Sequence, residues 1–440
     1  MCTAPDLPHE ILDHICSYLQ RHELIGNIWQ QDLFPSHEFH PLLFVCRSWH
    51  AVAERRLYVY ITIGSKWKES TGTDTRMVMA TLLYRSLAQN PRLARLVRSL
   101  RIEGNARSEP VTPKLGDLHT KIISVCSELA GLEIRHWDTS DAGLKRFKAC
   151  ISRKASLESL WLYHESFTPS KYLFESMEEL LYYLAGWPKL RIFRLQEQAA
   201  YRMGPRPRPK PKTERRNFFF RRQTIKPLKL ADAYRGLLCD LASFILSTQL
   251  EFEEEHIEAL AAMAPTISCL VCSVSEDSLR SCTLAWRAAL SAWAPTLLNL
   301  DITTERLTPP PMPGFNIPLN DVQPALEDQR FILTQETLHQ LSKVKFLQFK
   351  APTFGRPASL VHLASLERLR YISTTLDDEA ELVRVLPQLP ALKTLMYRRE
   401  CLQGTINSNP VVLNAARNAH FKAIMEICRS KGLIFRGDGW

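Results

Sequence analysis

The side chains of this 440-residue chain that could do chemistry are few and scattered. Cys269 and Cys272 form one Cys-x-x-Cys pair, the spacing of half a zinc site. They lie in a strand-like run, where residues three apart point to opposite faces, and no second pair or histidine cluster accompanies them. They are read as core cysteines. Glu251, Glu253, Glu254 and Glu255 form an acidic cluster, but like charges at the start of a helix are more simply a solvated first turn favoured by the helix dipole. No Gly-rich phosphate loop, Gly-Lys-Ser/Thr, His-Glu-x-x-His or Gly-x-Ser-x-Gly appears. The 16 glycines are few for a chain that must cradle phosphates. The sequence therefore reads as non-catalytic, with no cofactor and no metal, and binding is the better place to look. Trp161 and Tyr163, with Arg135 and Arg194 on neighbouring segments, make an aromatic and cationic patch of the kind enriched at binding hot spots. Lys350, Arg370 and Arg398 extend the cationic side. Such a patch favours an acidic or phosphorylated ligand.

These residues are positioned by a recurring pattern: apolar, two variable residues, apolar, one variable, apolar. It occurs as Val97/Leu100/Ile102, Leu129/Leu132/Ile134, Leu157/Leu160/Leu162 and Leu190/Phe193/Leu195. It returns as Ile267/Leu270/Cys272, Leu297/Leu300/Ile302, Val344/Leu347/Phe349, Leu366/Leu369/Tyr371 and Leu392/Leu395/Tyr397. The last two apolar residues share one face of a strand, and the first packs the turn leading into it. Pro188, Pro265, Pro295 and Pro390 stand two residues ahead of four copies, where each ends a helix. Helical stretches lie between copies, at Ser170–Ala185, Glu254–Ala264, Leu279–Ala292 and Leu376–Leu386. A strand and a helix every 22–33 residues, with two long gaps, resembles an irregular leucine-rich-repeat solenoid of the α/β horseshoe kind. The residues between the apolar positions would then face its concave surface.

Ahead of the repeats stand two further clusters. Leu7, Ile11, Leu12, Ile15 and Leu19 recur at spacings of three and four, as do Leu42, Val45, Cys46, Trp49 and Val52. Leu7-Pro8-x-Glu10 with Ile15 and Leu19, followed by Val45-Cys46-Arg47-x-Trp49, resembles the F-box, in the form of fungal F-box proteins. The halves stand about fifteen residues further apart than in the compact motif, with the extra material within 20–40. The resemblance implies an α/β chain in which residues 1–63 are a small helical F-box and 64–440 a repeat domain. It also implies a Skp-type adaptor, and through it a cullin scaffold, docked by Leu7, Pro8, Glu10, Ile11, Ile15, Leu19, Leu42, Val45, Cys46 and Trp49. The implied function is a substrate receptor of an SCF-type ubiquitin ligase that holds a target protein.

Composition agrees with a globular chain: 45% hydrophobic and 23% charged residues. Eleven cysteines, an odd number mostly in apolar stretches, are the usage of a reducing compartment. No long apolar run, leader at Met1–Pro5 or prenylation box is seen, so no membrane role is expected and the location is cytoplasmic, nuclear or both. The net charge of +10 is concentrated. Arg202–Arg222 holds nine Lys or Arg against one Glu, a local +8 that leaves +2 for the rest. The Pro-rich basic loop 203–229, with Arg206, Arg208, Lys210, Lys212, Arg215, Arg216, Arg221 and Arg222, admits three readings. It can be a nuclear-import signal, a nucleic-acid contact or a solvated insertion. A ligase-independent nuclear scaffold using this loop is the alternative function, nucleic acid being the less favoured partner. A second Pro-rich loop at 307–329 and a capping helix at 413–431 complete the reading.

Overall fold

The repeated apolar pattern becomes a ladder of parallel strands in which like positions stack. The computed structural model describes residues 7–21, 39–63, 75–103, 111–166, 172–199, 230–237, 240–248, 250–305, 331–351, 353–399 and 410–438. Residues 22–38 of the insertion expected within 20–40, and both Pro-rich loops, lie outside them. The chain falls into two units, Met1–Leu173 with Gly186–Tyr201, and Phe174–Ala185 with Arg202–Trp440.

The first unit begins with α1 (His9–Arg21), α2 (Phe39–Leu42) and α3 (Arg47–Val59). It continues with β1 (Tyr60–Ile63), α4 (Thr75–Gln89), α5 (Pro91–Leu96) and β2 (Ser99–Glu103). It closes with α6 (Pro113–Val125), β3 (Gly131–Arg135), α7 (Asp141–Ile151), β4 (Ser159–Ser166) and β5 (Ile192–Ala199). The alternation at Leu57–Ile63 predicts a strand throughout, but α3 runs on to Val59 and the strand starts at Tyr60. Asn90-Pro91 ends α4 and also opens α5: Asn90 accepts from the Leu93 amide, with the proline in the first turn. Neighbouring strands are parallel and paired in chain order. Leu100, Leu132, Leu160 and Phe193 fall in one register row, fully or almost fully buried, and Ile102, Ile134, Leu162 and Leu195 in the next.

In the second unit are α8 (Met177–Ala185), α9 (Leu230–Tyr234), β6 (Ser243–Ser247), α10 (Glu254–Met263) and β7 (Cys269–Ser275). Next come α11 (Glu276–Ser281), α12 (Thr283–Trp293), β8 (Asn299–Glu305), α13 (Gln335–Gln340) and β9 (Phe346–Lys350). It ends with β10 (Arg368–Ser373), α14 (Leu376–Val385), β11 (Thr394–Arg399), α15 (Pro410–Ser430) and β12 (Ile434–Asp438). Phe244, Leu270, Leu300, Leu347, Leu369, Leu395 and Phe435 continue from strand to strand in register. The chain is thus an α/β repeat protein. β6 is a copy that the sequence reading passes over: Leu241, Phe244 and Leu246 fit the pattern and are fully buried. The helix expected over 279–292 is broken at Cys282 into α11 and α12. A helix, α15, covers most of 413–431, where the sequence places a capping helix, and Gly432 at φ +66° turns the chain into β12.

Successive repeats of the ladder are tied together by varied side chains. Lys154 donates to the Ser124 and Cys126 carbonyls at 3.1 and 2.8 Å, closing the end of α6. Trp187 Nε1 donates to Ile151 O at 3.0 Å at the end of α7, and Trp293 Nε1 to Ala264 O at 2.8 Å after α10. Lys431 donates to the Leu386, Pro387 and Leu389 carbonyls after α14. At these four helix ends, carbonyls left free by the helix are met by a side chain from further along the chain.

Candidate functional site

Two kinds of surface come from these elements, one helical and one on the strands. In the N-terminal helices, Leu12 and Cys16 of α1 meet Val52 and Leu57 of α3 in a buried cluster, with Leu7, Leu42, Leu43, Trp49 and Tyr58 packed against it. Asp13 fixes α1 to α3 through Arg56, whose Nε and Nη2 donate to the two carboxylate oxygens at 2.7 and 2.5 Å. That guanidinium holds the Asp13 carboxyl below its usual range. Arg92 of α5 grips Glu54 of α3 with two bonds of 2.6 Å, tying the helices to the first repeat.

The apolar stripes split between inside and outside. Leu12, and Cys16 which the stripe omits, face inward. Ile11 and Ile15 are 47% and 36% exposed, and Val45 is 55% exposed. Pro8, Glu10 and Cys46 are exposed as well, while Leu7, Leu42 and Trp49 are half-buried. The Leu19 side chain lies outside the described ones. Phe44, absent from the expected set, is the most exposed of all at 85%. Its signal was present in the run Leu42-Leu43-Phe44-Val45, which is too apolar for one side to absorb.

On the strands, the residues between the apolar positions occupy the face away from the helices. In the first unit Arg101, Glu133, Trp161 and Arg194 form one row, and Glu103, Arg135, Tyr163 and Gln196 the next. Arg194 lies 5.5 Å from the Trp161 ring centre, a cation–π stack. Arg135 is expected to offer free charge, but it pairs with Glu133 at 3.0 Å and Glu103 at 3.7 Å. Arg101 pairs with the same two carboxylates at 3.5 and 2.5 Å. Two arginines and two glutamates thus neutralise one another beside the aromatic pair.

In the second unit Lys350 departs from its expected place. It is 2% exposed, and its ammonium lies 3.3 Å from Glu276, the first residue of α11. Asp301 on β8 has its carboxyl pushed up by burial, opposed by the charge of Arg370. Arg370 is half-buried and Arg398 exposed. Cys269 and Cys272 alternate on β7, half-buried and buried, with burial pushing the Cys272 thiol up. Among the described residues no group of three or more His, Cys, Asp or Glu could hold a metal ion, and no helix is long and apolar enough to cross a membrane. The eight basic-loop residues, Arg206 to Arg222, lie outside the described residues.

No family model matches the chain, and no curated protein matches it. Among solved structures it is similar to the Rad7 and Elc1 complex of yeast, at a TM-score of 0.38 and 10% identity over 92% of this chain and 87% of that one. It is also similar to LegL7, a leucine-rich repeat-containing protein of Legionella pneumophila, at 0.31 and 10% over 82% and 98%. An internalin of Listeria monocytogenes gives 0.25 and 12% over 74% and 90%. Scores this low carry no functional inference. The repeat architecture rests on the strand ladder itself.

Proposed function

We propose that the chain is the substrate-receptor subunit of an SCF-type cullin–RING ubiquitin ligase, with residues 1–63 docking a Skp-type adaptor and residues 64–440 holding a target protein. The observation that carries this reading is the exposure of apolar side chains from both halves of the N-terminal motif. Ile11, Ile15, Phe44 and Val45 stand outside a cluster that has already buried Leu12, Cys16, Val52 and Leu57. A small helical unit with its own core, ion-paired to the first repeat, has no internal use for a second apolar face. A partner does. The receptor needs no catalytic group, because holding the target near the conjugating enzyme supplies the rate through proximity.

The test is co-purification of the full chain with a Skp-type adaptor, wild type beside Ile11→Glu with Val45→Glu. Both positions are open to solvent in the free chain, so the variant keeps its fold, as circular dichroism would verify. A stable complex lost in the variant supports the reading. A well-folded wild type that binds no adaptor overturns it.

A further inference from the structure

The face of β10–β12 away from the helices differs in one respect from its counterpart in the first unit. Pairing of β10, β11 and β12 puts Arg370, Met396 and Arg436 in one row, with Arg398 on the middle strand two residues on. Strands lie about 4.8 Å apart and rise about 3.3 Å per residue. The three arginine Cα atoms are therefore within about 8–10 Å of one another. Arg398 and Arg436 are exposed and Arg370 is half-buried. Among the described residues none of the three has an ion pair, whereas Arg101 and Arg135 each have two. Arg399, the residue after Arg398, turns to the opposite face and is bound by the buried Glu379. Asp301, which acts on Arg370 from β8, is separated from it by β9 and is not within ion-pair distance. Asp438 holds the register position beside Arg398, and its side chain lies outside the described ones.

We propose that this face is a docking site for an acidic segment of a partner protein, its Asp and Glu carboxylates held by Arg370, Arg398 and Arg436. The proposal rests on reading the repeats as the target-binding part and makes no use of the adaptor. Guanidinium forks bind carboxylates with two parallel bonds. Three forks spread over a strand face match separate carboxylates on alternate residues of an extended chain, which recur about every 7 Å. A single tetrahedral phosphate would engage fewer of them. Met396 supplies an apolar floor between the charges. The described positions of these strand faces carry no aromatic ring for base stacking, which argues against nucleic acid.

The test is fluorescence anisotropy with the full chain and a labelled peptide carrying alternate glutamates, beside its glutamine counterpart and a phosphoserine version. The glutamate peptide should bind at least about tenfold tighter than the glutamine one, and added salt should weaken it. Arg370→Gln/Arg398→Gln/Arg436→Gln should lower its affinity by at least about tenfold, and Arg398→Glu alone should do the same if the triple variant folds poorly. Arg135→Gln, deletion of Arg206–Arg222 and Ile11→Glu/Val45→Glu should each leave most of the binding in place. Retention of that last variant separates this proposal from adaptor docking. Equal binding by the triple variant and wild type, no binding by wild type, or loss on deleting the basic loop alone would overturn the proposal. A phosphoserine peptide bound more than about tenfold tighter than the glutamate one would overturn the choice of carboxylate.

Discussion

Replacing Glu379 by leucine should unfasten the C-terminal helix. The carboxylate is 4% exposed and joins three elements. Its Oε1 accepts from the Tyr397 hydroxyl of β11 at 2.6 Å and from Arg399 Nε at 2.8 Å, and its Oε2 accepts from Arg399 Nη2 at 3.2 Å. The same guanidinium donates to Arg417 O of α15 at 2.5 Å and lies over the Phe421 ring at 5.4 Å. Glu379→Leu leaves a buried hydroxyl without its acceptor, at a cost of about 1–3 kcal/mol. It also strands a guanidinium, and breaking a buried pair costs about 3–5 kcal/mol. Arg399 is 30% exposed, so water relieves part of this. A total of about 3–5 kcal/mol is expected. Arg399→Leu added to Glu379→Leu should recover about 0.5–3 kcal/mol relative to additivity, since both single changes break one network. Urea unfolding followed by circular dichroism gives the energies, and hydrogen exchange shows whether α15 opens first. A single variant costing less than about 1 kcal/mol, or a strictly additive double, would refute this account of the network.

Three further outcomes are expected. Burial, helped by the nearby His136, pushes the His164 imidazole from 6.5 down to about 4. The unfolded chain then binds the proton first, so stability should fall as pH drops from 6.5 to about 4, with no further loss from this group below that. Denaturation midpoints across that range should lose much of their slope in His164→Phe. Gly143→Ala would drive a Cβ into the buried Asp138 carboxylate and should lower stability by about 1–3 kcal/mol, read by thermal unfolding. Of the described cysteines, exposed Cys46 should be alkylated first, while Cys126, pushed up to about 12 by burial, should react only on unfolding. Mass spectrometry follows both, and a bound adaptor should protect Cys46.

Much of the ladder was legible because register follows from the apolar pattern. The copies at Leu100, Leu132 and Leu160 could be aligned by eye and do stack. Leu241/Phe244/Leu246 fits the pattern equally well, but it has no proline ahead of it and follows only the short helix Leu230–Tyr234. The position of Arg436 was not legible, since it depends on the turn at Gly432 and on the pairing of β12 with β11. The charge of Arg135 was misjudged for another reason. Its partners Glu103 and Glu133 are also in the pattern, but a tally of cations does not weigh the acid one strand away. In the N-terminal helices, spacing identified the apolar residues without deciding which side was already occupied. Ile11 and Leu12 are neighbours in sequence, and only packing against Val52 and Leu57 separates their fates.

The side chains that close helix ends from further along the chain have a consequence for biosynthesis. Lys154 lies 30 residues beyond the Ser124 carbonyl it satisfies, and Trp187 lies 36 beyond Ile151. A ribosome adding about 5–20 residues per second delivers them about 1.5–7 s after the helix they complete. Throughout that interval the newest helix ends in bare carbonyls, so the ordered part of the nascent chain trails translation by one repeat. A ribosome stalled within a repeat would thus expose an unfinished edge, and a chain released there would keep it.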